Sequence, residues 1–372
     1  VNIAILGSRG FPSTYGGYET LVRYLAADWT QRGHTVTVYC RSRSNGRRSW
    51  TVDGVRCQWT PGHDSTSFST LSFGASSHLH AATQNYDAAL VLNVANGYFL
   101  PLLRARRIAC AVNTDGIEWE RGKWGATARR VFHGGATLCA RYADVLIADS
   151  RAIADIWEGE FGVQSRFIPY GAPVLTGVGN DRIAALGLTP YTYALAVARL
   201  IPENNVDLFL DALDLMSPRP LGVVVGAGSP GSALERRLRR LDKNGTVKWL
   251  GHVADQDLLM QLWANSGVYV HGHSVGGTNP ALLQALGVGA PTIALDTAFN
   301  REVLGSVRQL FSHDKRLLAR TMSDTLAAVE QRKAFRAHGQ HVVATRYQWP
   351  AVCRAYLAAL EAARRPAFSR GS

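Results

Sequence analysis

Short apolar runs recur along the chain, each followed by a longer stretch in which apolar positions return with a helical period. The first runs are NIAIL, HTVTVYC, AALVLN, IACAVNT and DVLIADS. Between the first two lies YETLVRYLAADWTQRG, a helix that stops at Gly33. Strand then helix, repeated, predicts parallel sheets covered by helices. Near Pro169 the rhythm pauses: IPYGAPVLTGVGNDRIAALGLTP is rich in Gly and Pro and lacks a sustained period, so residues 176–190 read as a linker. A second cycle opens with YTYALAVARL and continues through LGVVVGAG, VKWLG, GVYVHGH and PTIALD, with helices such as DLFLDALDLM and SALERRLRRLDK between. The pattern predicts an α/β protein of two doubly wound, Rossmann-like domains, residues 1–175 and 191–345, facing across a cleft. The segment 346–372 contains RYQWPAVCRAYLAALEAA, expected to be a helix packing back on the first domain.

Composition narrows the class. A chain of 372 residues with 47% hydrophobic and 18% charged residues fits a soluble globular protein of two domains. The start, VNIAILGSRG, has no basic region and only a short apolar run, so a signal peptide is not expected. AALVLNVANGYFLPLL is broken by Asn93, Asn96, Gly97 and Pro101, and falls short of the ~20 residues that cross a bilayer. Five scattered cysteines read as reduced thiols of a cytoplasmic protein. The net charge of +12 would attract nucleic acid, an anionic membrane or phosphorylated small molecules. Arginines are dispersed apart from clusters such as Arg104/Arg106/Arg107 and Arg236/Arg237/Arg239/Arg240, and no nucleic-acid recognition motif is present. The cytoplasmic face of a membrane suits the charge better. KWGATARRVFHGGATLCARYA, basic and partly amphipathic, fits a membrane surface or a lipid-linked acceptor; a solvated helix interrupted by Gly134-Gly135 accounts for it equally well.

Three loops carry the candidate chemistry. GSRGFPSTYGG has Gly7 and Gly10, but Arg9 occupies the middle glycine of a dinucleotide fingerprint and no acid ends the second strand. Arg41 and Arg43 keep an NADP enzyme open as a minor reading; a tight turn is the plainer one. Gly16-Gly17 before a helix lets backbone N–H groups approach a phosphate. In HGHSVGGTNPALLQALGVGAPTIALD, Asn279 suits an N-cap and Pro280 the first helical turn. The N–H groups of Gly276, Gly277, Thr278 and Asn279 would then stand beside the helix's positive end, where phosphate or sugar hydroxyls bind. Arg199, ending the strand of AVARLIPENNVD, suits a diphosphate, or else pairs with Glu203 at the surface. Asp255 and Asp257 in ADQD superficially match a metal-binding D-x-D but read as helix capping; Ser150 also reads as a cap, and His271 and His273 lack a third metal ligand.

The ordered set SRGFPSTYGGYET, NTDGIEWERGKW, VARLIPENNVD and HGHSVGGTNPALLQAL with PTIALD spans nearly the whole chain. It resembles retaining GT-B glycosyltransferases of family 4, most closely the bacterial rhamnosyltransferase-like subgroup. The resemblance implies a nucleotide-sugar co-substrate, dTDP-rhamnose or a UDP- or GDP-sugar, bound mainly by the second domain, with no resident cofactor and no essential metal. It implies Arg199 on the diphosphate, with Asn204 where the family has a lysine. Gly226, Gly276, Gly277, Thr278, Asn279 and Gln284 fall at the donor, and Gly16 and Gly17 approach it from the first domain. Gly276 and Gln284 stand where the family carries its paired glutamates.

The implied catalytic pair is Asp115 and Arg199. Asp115 would position the acceptor hydroxyl or the donor sugar, and Glu19, Trp119, Arg121, Lys123 and Trp124 would bind the acceptor. A helix start with its tryptophans in the core is the alternative for NTDGIEWERGKW. The acceptor implied is a glycan or lipid-linked glycan precursor in polysaccharide biosynthesis for the cell envelope, met at the inner face of the membrane. Gln284 keeps an acceptor and gains a donor, a change worth ~1–2 kcal/mol of binding. Asn204 removes a charge that Arg199, helix N-termini and Lys123 must replace. The departures leave open a catalytically impaired, sugar-nucleotide-binding paralogue acting as partner or regulator.

Overall fold

The apolar runs form strands and the periodic stretches form the helices between them. The computed structural model describes residues 1–12, 16–44, 46–63, 69–114, 116–120 and 124–364. The chain divides into two compact units, Val1–Tyr170 with Trp349–Ser372, and Gly171–Gln348.

In the first unit the strands are β1 (Asn2–Leu6), β2 (Thr35–Cys40), β3 (Ser49–Val52), β4 (Val55–Trp59), β5 (Ala88–Leu92), β6 (Ala109–Asn113), β7 (Val145–Ala148) and β8 (Arg166–Phe167). They lie in the order β3-β4-β2-β1-β5-β6-β7-β8, all parallel except β3, which pairs antiparallel with β4. That hairpin turns at Asp53 (φ 51°) and Gly54 (φ 78°), the left-handed pair a two-residue turn requires. The strand-then-helix reading passes over it. The helices are α1 (Gly17–Gln31), α2 (Ser69–Ala82), α3 (Leu100–Ala105), α4 (Ala126–Tyr142) and α5 (Arg151–Phe161). Gly134 and Gly135 do not interrupt α4. Instead they let the 3-10 turn Val94–Phe99 press against it: a Cβ on Gly135 would stand 2.5 Å from the Val94 carbonyl oxygen. The last helix, Trp349–Arg364, belongs to this unit. Trp29 Nε1 donates to the Cys353 carbonyl (3.2 Å), and Tyr24 stacks on Trp349 with centroids 4.0 Å apart.

The second unit holds α6 (Asp181–Ala185), β9 (Tyr193–Val197), α7 (Val206–Asp214), β10 (Leu221–Val225), α8 (Ala233–Lys243), β11 (Val247–Trp249) and α9 (Gln256–Ala264). It continues with β12 (Val268–His271), α10 (Pro280–Gly287), β13 (Thr292–Leu295), α11 (Ala298–Leu304), β14 (Leu310–Phe311), α12 (Lys315–Ala327) and α13 (Val329–Arg346). The sheet is parallel throughout, in the order β11-β10-β9-β12-β13-β14. Alternate residues of β9 feed opposite cores: Ala194 and Ala196 pack with Phe209, Leu213 and Met322, while Tyr193 and Leu195 pack with Leu262, Trp263 and Tyr269.

The stretch read as a linker is built into this second core. Ile183 is fully buried, Leu188 nearly so, and the Arg182 amide donates to Gln261 Oε1 (2.9 Å). Residues 183–186 and Leu188, set between Gly177, Gly179, Gly187 and Pro190, make too short an apolar run to show a period. Among the described residues no helix is long and apolar enough to cross a membrane.

Candidate functional site

Sheet order locates the site before any side chain is considered. In the second unit the strand succession runs outward in both directions from the β9–β12 pair, which makes that pair the topological switch point. Ligands of open α/β sheets bind outside the carboxyl ends of the strands at such a point. The loops that leave β9 and β12 there are Ala198–Asn205 and Gly272–Asn279, the stretches singled out in the sequence.

The two loops are tied together by backbone. The Glu203 carbonyl accepts from both the amide and the Oγ of Ser274, each at 2.9 Å. Asn205, left-handed at φ 53°, donates its amide to the Gly272 carbonyl (2.8 Å), and His313 Nε2 donates to Asn205 Oδ1 (2.9 Å). Gly272 makes the close approach possible, since a Cβ there would stand 2.6 Å from the Asn204 carbonyl oxygen. These ties were not read from the sequence. The Asn204-Asn205 dipeptide before a helix was their one visible signal.

Arg199 is exposed and makes no side-chain hydrogen bond or ion pair among the described residues. The alternative pairing with Glu203 therefore does not form. Both Glu203 carboxylate oxygens are buried and have no hydrogen-bond partner among the described residues. An unpaired carboxylate shielded from water is costly, and such costs gather at functional ends of folds. Asn204 is buried, and its amide donates to the Arg199 carbonyl (2.8 Å), so the structure gives it the task of shaping the loop that carries Arg199.

The glycine loop presents backbone. Gly276 lies at φ 123° with open space where a Cβ would be, and Gly277 is half-buried beside it. Thr278 is buried. Asn279 caps α10 through Oδ1 on the Ala281 amide (2.9 Å), with Pro280 at the first position. Gln284 is half-buried on α10, and its amide makes no hydrogen bond among the described residues. Gly226, at the end of β10, is fixed by packing: its φ is 141° and a Cβ would stand 1.8 Å from the Ala198 carbonyl oxygen. Trp249 Nε1 donates to the Gly226 carbonyl (2.9 Å), holding this neighbouring turn against the Arg199 loop.

Below the glycine loop, His271 is fully buried, accepts or donates at Nδ1 with Tyr269 Oη (3.0 Å), and stacks on His273 at 4.2 Å. Burial, and then the neighbouring His273, hold the His271 imidazole well below its ordinary pKa, so it is neutral. Asp255 caps α9 at the Leu258 amide (3.1 Å) and pairs with Arg182, and Ser150 caps α5 at the Ile153 amide (3.2 Å). Both therefore have the capping roles expected of them.

In the first unit Asp115, Arg121 and Lys123 lie outside the described residues. Gly16 is exposed at φ 116° and Gly17 opens α1. Glu19 is buried: Oε1 accepts from the Arg9 amide (3.2 Å), and its other oxygen would meet a Cβ on Gly16. It therefore holds the β1–α1 loop and does not present a free acid to an acceptor. Trp119, expected at the acceptor, is only 8% exposed and packs edge-on against His133, Trp157 and Phe161. Its indole is core, as the alternative reading had it. Trp124 is half-buried, donating Nε1 to Glu118 Oε2 (2.9 Å). Arg41 and Arg43, considered for a 2′-phosphate, lie over Phe73 (5.3 Å) and Trp59 (3.8 Å).

Comparison with known proteins agrees with this fold. Residues 16–171 match the model of the Glycosyl transferase 4-like domain, and residues 192–328 that of Glycosyl transferases group 1. No curated protein matches the chain in sequence. Sucrose-phosphate synthase from Thermosynechococcus elongatus is similar in structure with a TM-score of 0.82 at 18% identity, over 96% of this chain and 97% of that one. HepE from Anabaena, in complex with UDP-glucose, gives 0.78 at 17% identity over 97% and 99% of the two chains. The Escherichia coli trehalose-6-phosphate protein bound with UDP-2-fluoro glucose gives 0.72 at 12% over 97% and 99%. At these identities the likeness carries the fold. With both family models in sequence order along one chain, the protein is a glycosyltransferase of the GT-B fold, a glycosyl transferase 4-like domain followed by a group 1 domain.

Proposed function

We propose that this glycosyltransferase moves a deoxyhexose, rhamnose foremost, from a nucleoside diphosphate to a hydroxyl of a glycan or lipid-linked glycan precursor. Anomeric configuration is retained and no metal is required. The donor is dTDP-rhamnose or a UDP- or GDP-sugar, the protein needs no resident cofactor, and the work is done at the inner face of the membrane for polysaccharide assembly. The observation that carries the reading is Arg199: an exposed guanidinium without a partner among the described residues, at the switch point, beside a glycine loop that opens a helix. Structurally similar proteins in complex with UDP or UDP-glucose support a nucleotide-sugar donor.

As the bond between the anomeric carbon and the diphosphate breaks, negative charge grows on the leaving group. Arg199 and the N–H groups at the start of α10 are preorganised to meet it. Gly276 leaves its side of the loop open to the sugar, and Gln284 supplies an amide for a ribose hydroxyl. Asp115 positions the acceptor hydroxyl.

The test is release of nucleoside diphosphate from dTDP-rhamnose, UDP- and GDP-sugars with a glycan acceptor, in EDTA and in magnesium. Acceptor-dependent release in EDTA is expected; release that needs the metal would refute the metal-free part. The absence of a lysine at Asn204 and a glutamate at Gln284 favours one second reading, a sugar-nucleotide-binding paralogue with impaired transfer. A gain of orders of magnitude in transfer on Gln284→Glu would support it.

A further inference from the structure

The first sheet has a switch point of its own between β1 and β5, and beside it, at the carboxyl ends of β1, β2 and β4, lies a narrow recess. Ser8 stands just past the end of β1, Arg41 past β2 and Thr60 past β4, while Thr70 and Phe73, from the first two turns of α2, close the other side. Open sheets bind their ligands at such strand ends. Ser8 is only 4% exposed, and its Oγ is buried with no hydrogen-bond partner among the described residues. A buried hydroxyl normally has a partner. One left over on the wall of an open recess is free to bond whatever enters.

The surroundings are basic. Among the described residues no Asp or Glu lines the recess. The Arg41 guanidinium lies over the Phe73 ring, 5.3 Å from its centroid. Trp59, next to Thr60, gathers two more guanidiniums, Arg43 at 3.8 Å and Arg48 at 5.9 Å from its centroid. The same indole donates Nε1 to the Arg41 carbonyl (3.1 Å), which ties this group to the recess wall. The side chains of Arg43, Arg47 and Arg48 are exposed and make no hydrogen bond or ion pair among the described residues.

Little opposes that charge. In the loops that leave β1, β2, β4 and β5 the one acid in the sequence is Asp64, which lies outside the described residues. Glu19, at the start of α1, is turned inward on the Arg9 amide (3.2 Å). α2 begins beside the recess with no acid in its first turn, so its dipole adds to the same sign. Guanidiniums held close together repel one another, and an anion among them relieves that repulsion.

We infer that this recess binds a phosphate group, with Ser8 Oγ donating to one phosphate oxygen and Arg41, Arg43 and Arg48 meeting the others. Arginines and a hydroxyl without a carboxylate are donors for an oxyanion; a neutral sugar would call for acceptors as well. The phosphate is either an ester carried by the acceptor or free phosphate acting as an effector. Its placement on the acceptor rests on the proposed transfer reaction; the binding of phosphate does not.

The test is calorimetric titration of the full chain carrying Arg199→Ala, which silences the arginine of the donor site, with inorganic phosphate and with glucose 1-phosphate at constant ionic strength. Binding is expected, and Arg41→Gln should weaken it about tenfold or more, as the loss of a charge-assisted bond does. Ser8→Ala should weaken it severalfold while melting without phosphate stays the same or rises, since an orphan hydroxyl has been removed. A structural serine would instead lower the melt. Arg43→Gln with Arg48→Gln, both exposed, should weaken binding without touching the fold, and Arg236→Gln with Arg240→Gln on α8 should bind as the parent does. Glucose 1-phosphate binding as tightly as phosphate, or more so, assigns the recess to an acceptor ester; weaker or absent ester binding assigns it to free phosphate. A chain that binds no nucleotide sugar but binds phosphate here keeps the site and loses only its link to transfer. No binding of either anion at millimolar concentration, affinity unchanged in the Ser8 and Arg41 variants, or an equally impaired α8 variant would overturn the inference.

Discussion

The carbonyl oxygen of Glu203 accepts two hydrogen bonds from Ser274, one from its amide and one from its hydroxyl, both 2.9 Å long. Through this pair the loop that carries Arg199 is registered against the loop that opens α10. Ser274→Ala keeps the amide bond and removes the hydroxyl one. It should cost about 1 kcal/mol of stability and weaken nucleotide-sugar binding severalfold, read by thermal melts and by calorimetric titration. Unchanged affinity would show that the loops hold their register without the hydroxyl.

The Arg199 side chain is exposed and makes no hydrogen bond or ion pair among the described residues, so its removal should spare the fold. Arg199→Ala should weaken nucleoside-diphosphate binding on the order of ten- to a hundredfold, the loss of a charge-assisted contact. Arg199→Lys should recover part of it, since a point charge cannot reproduce a bidentate fork. Titration with free nucleoside diphosphate separates this loss from any effect on the transferred sugar.

Trp119 distinguishes core from binding platform. Because it is 8% exposed among His133, Trp157 and Phe161, Trp119→Ala should destabilise by ~3–5 kcal/mol. A sugar platform would behave otherwise, with normal melting and lost transfer. Denaturant titration of the variant decides between them.

His78 gives the protein an acid limit. It is fully buried in α2 with Nδ1 on the Gly74 carbonyl (2.7 Å), and burial lowers its pKa to about 4. The unfolded chain takes up a proton near the ordinary histidine value while the folded chain does not. Stability is thus full above the unfolded pKa and falls as pH drops through the window toward 4, by up to about 1.4 kcal/mol per pH unit. His271, also buried and lowered, adds in the same direction. Melting temperature should fall from neutral pH to pH about 5, with a shallower slope in His78→Gln; an unchanged slope would remove His78 from the account.

Much of the architecture was legible because parallel strands buried on both faces are continuous apolar runs, and β1, β5, β9 and β12 are of this kind. Caps were legible too: Asn279, Ser150 and Asp255 each sit where an N-cap residue precedes an apolar period. The hairpin β3–β4 escaped because SWTV and VRCQW are short, mixed in polarity and at the sheet edge. At the site, residue types identified the loops but not the direction of each side chain. Glu19 and Trp119 look like binding groups in sequence and turn inward in the fold, since an acid near a helix start finds a backbone amide and an indole finds other rings. Asn204 reads as a lost lysine, whereas its amide fixes the Arg199 carbonyl. Such partners lie across loops, beyond the reach of local pattern.

The central claim, a nucleotide-sugar site built on Arg199 and the glycine loop, is tested most directly by thermal shift. Wild type and Arg199→Ala would be compared with dTDP-, UDP- and GDP-sugars in EDTA. At ~100 times its dissociation constant a true donor stabilises the fold by ~2.7 kcal/mol, a rise of a few degrees. The account predicts such a rise for one nucleotide class in the wild type, and a rise cut to about half or less in Arg199→Ala under the same conditions. No shift with any sugar nucleotide, or an undiminished shift in Arg199→Ala, would contradict it.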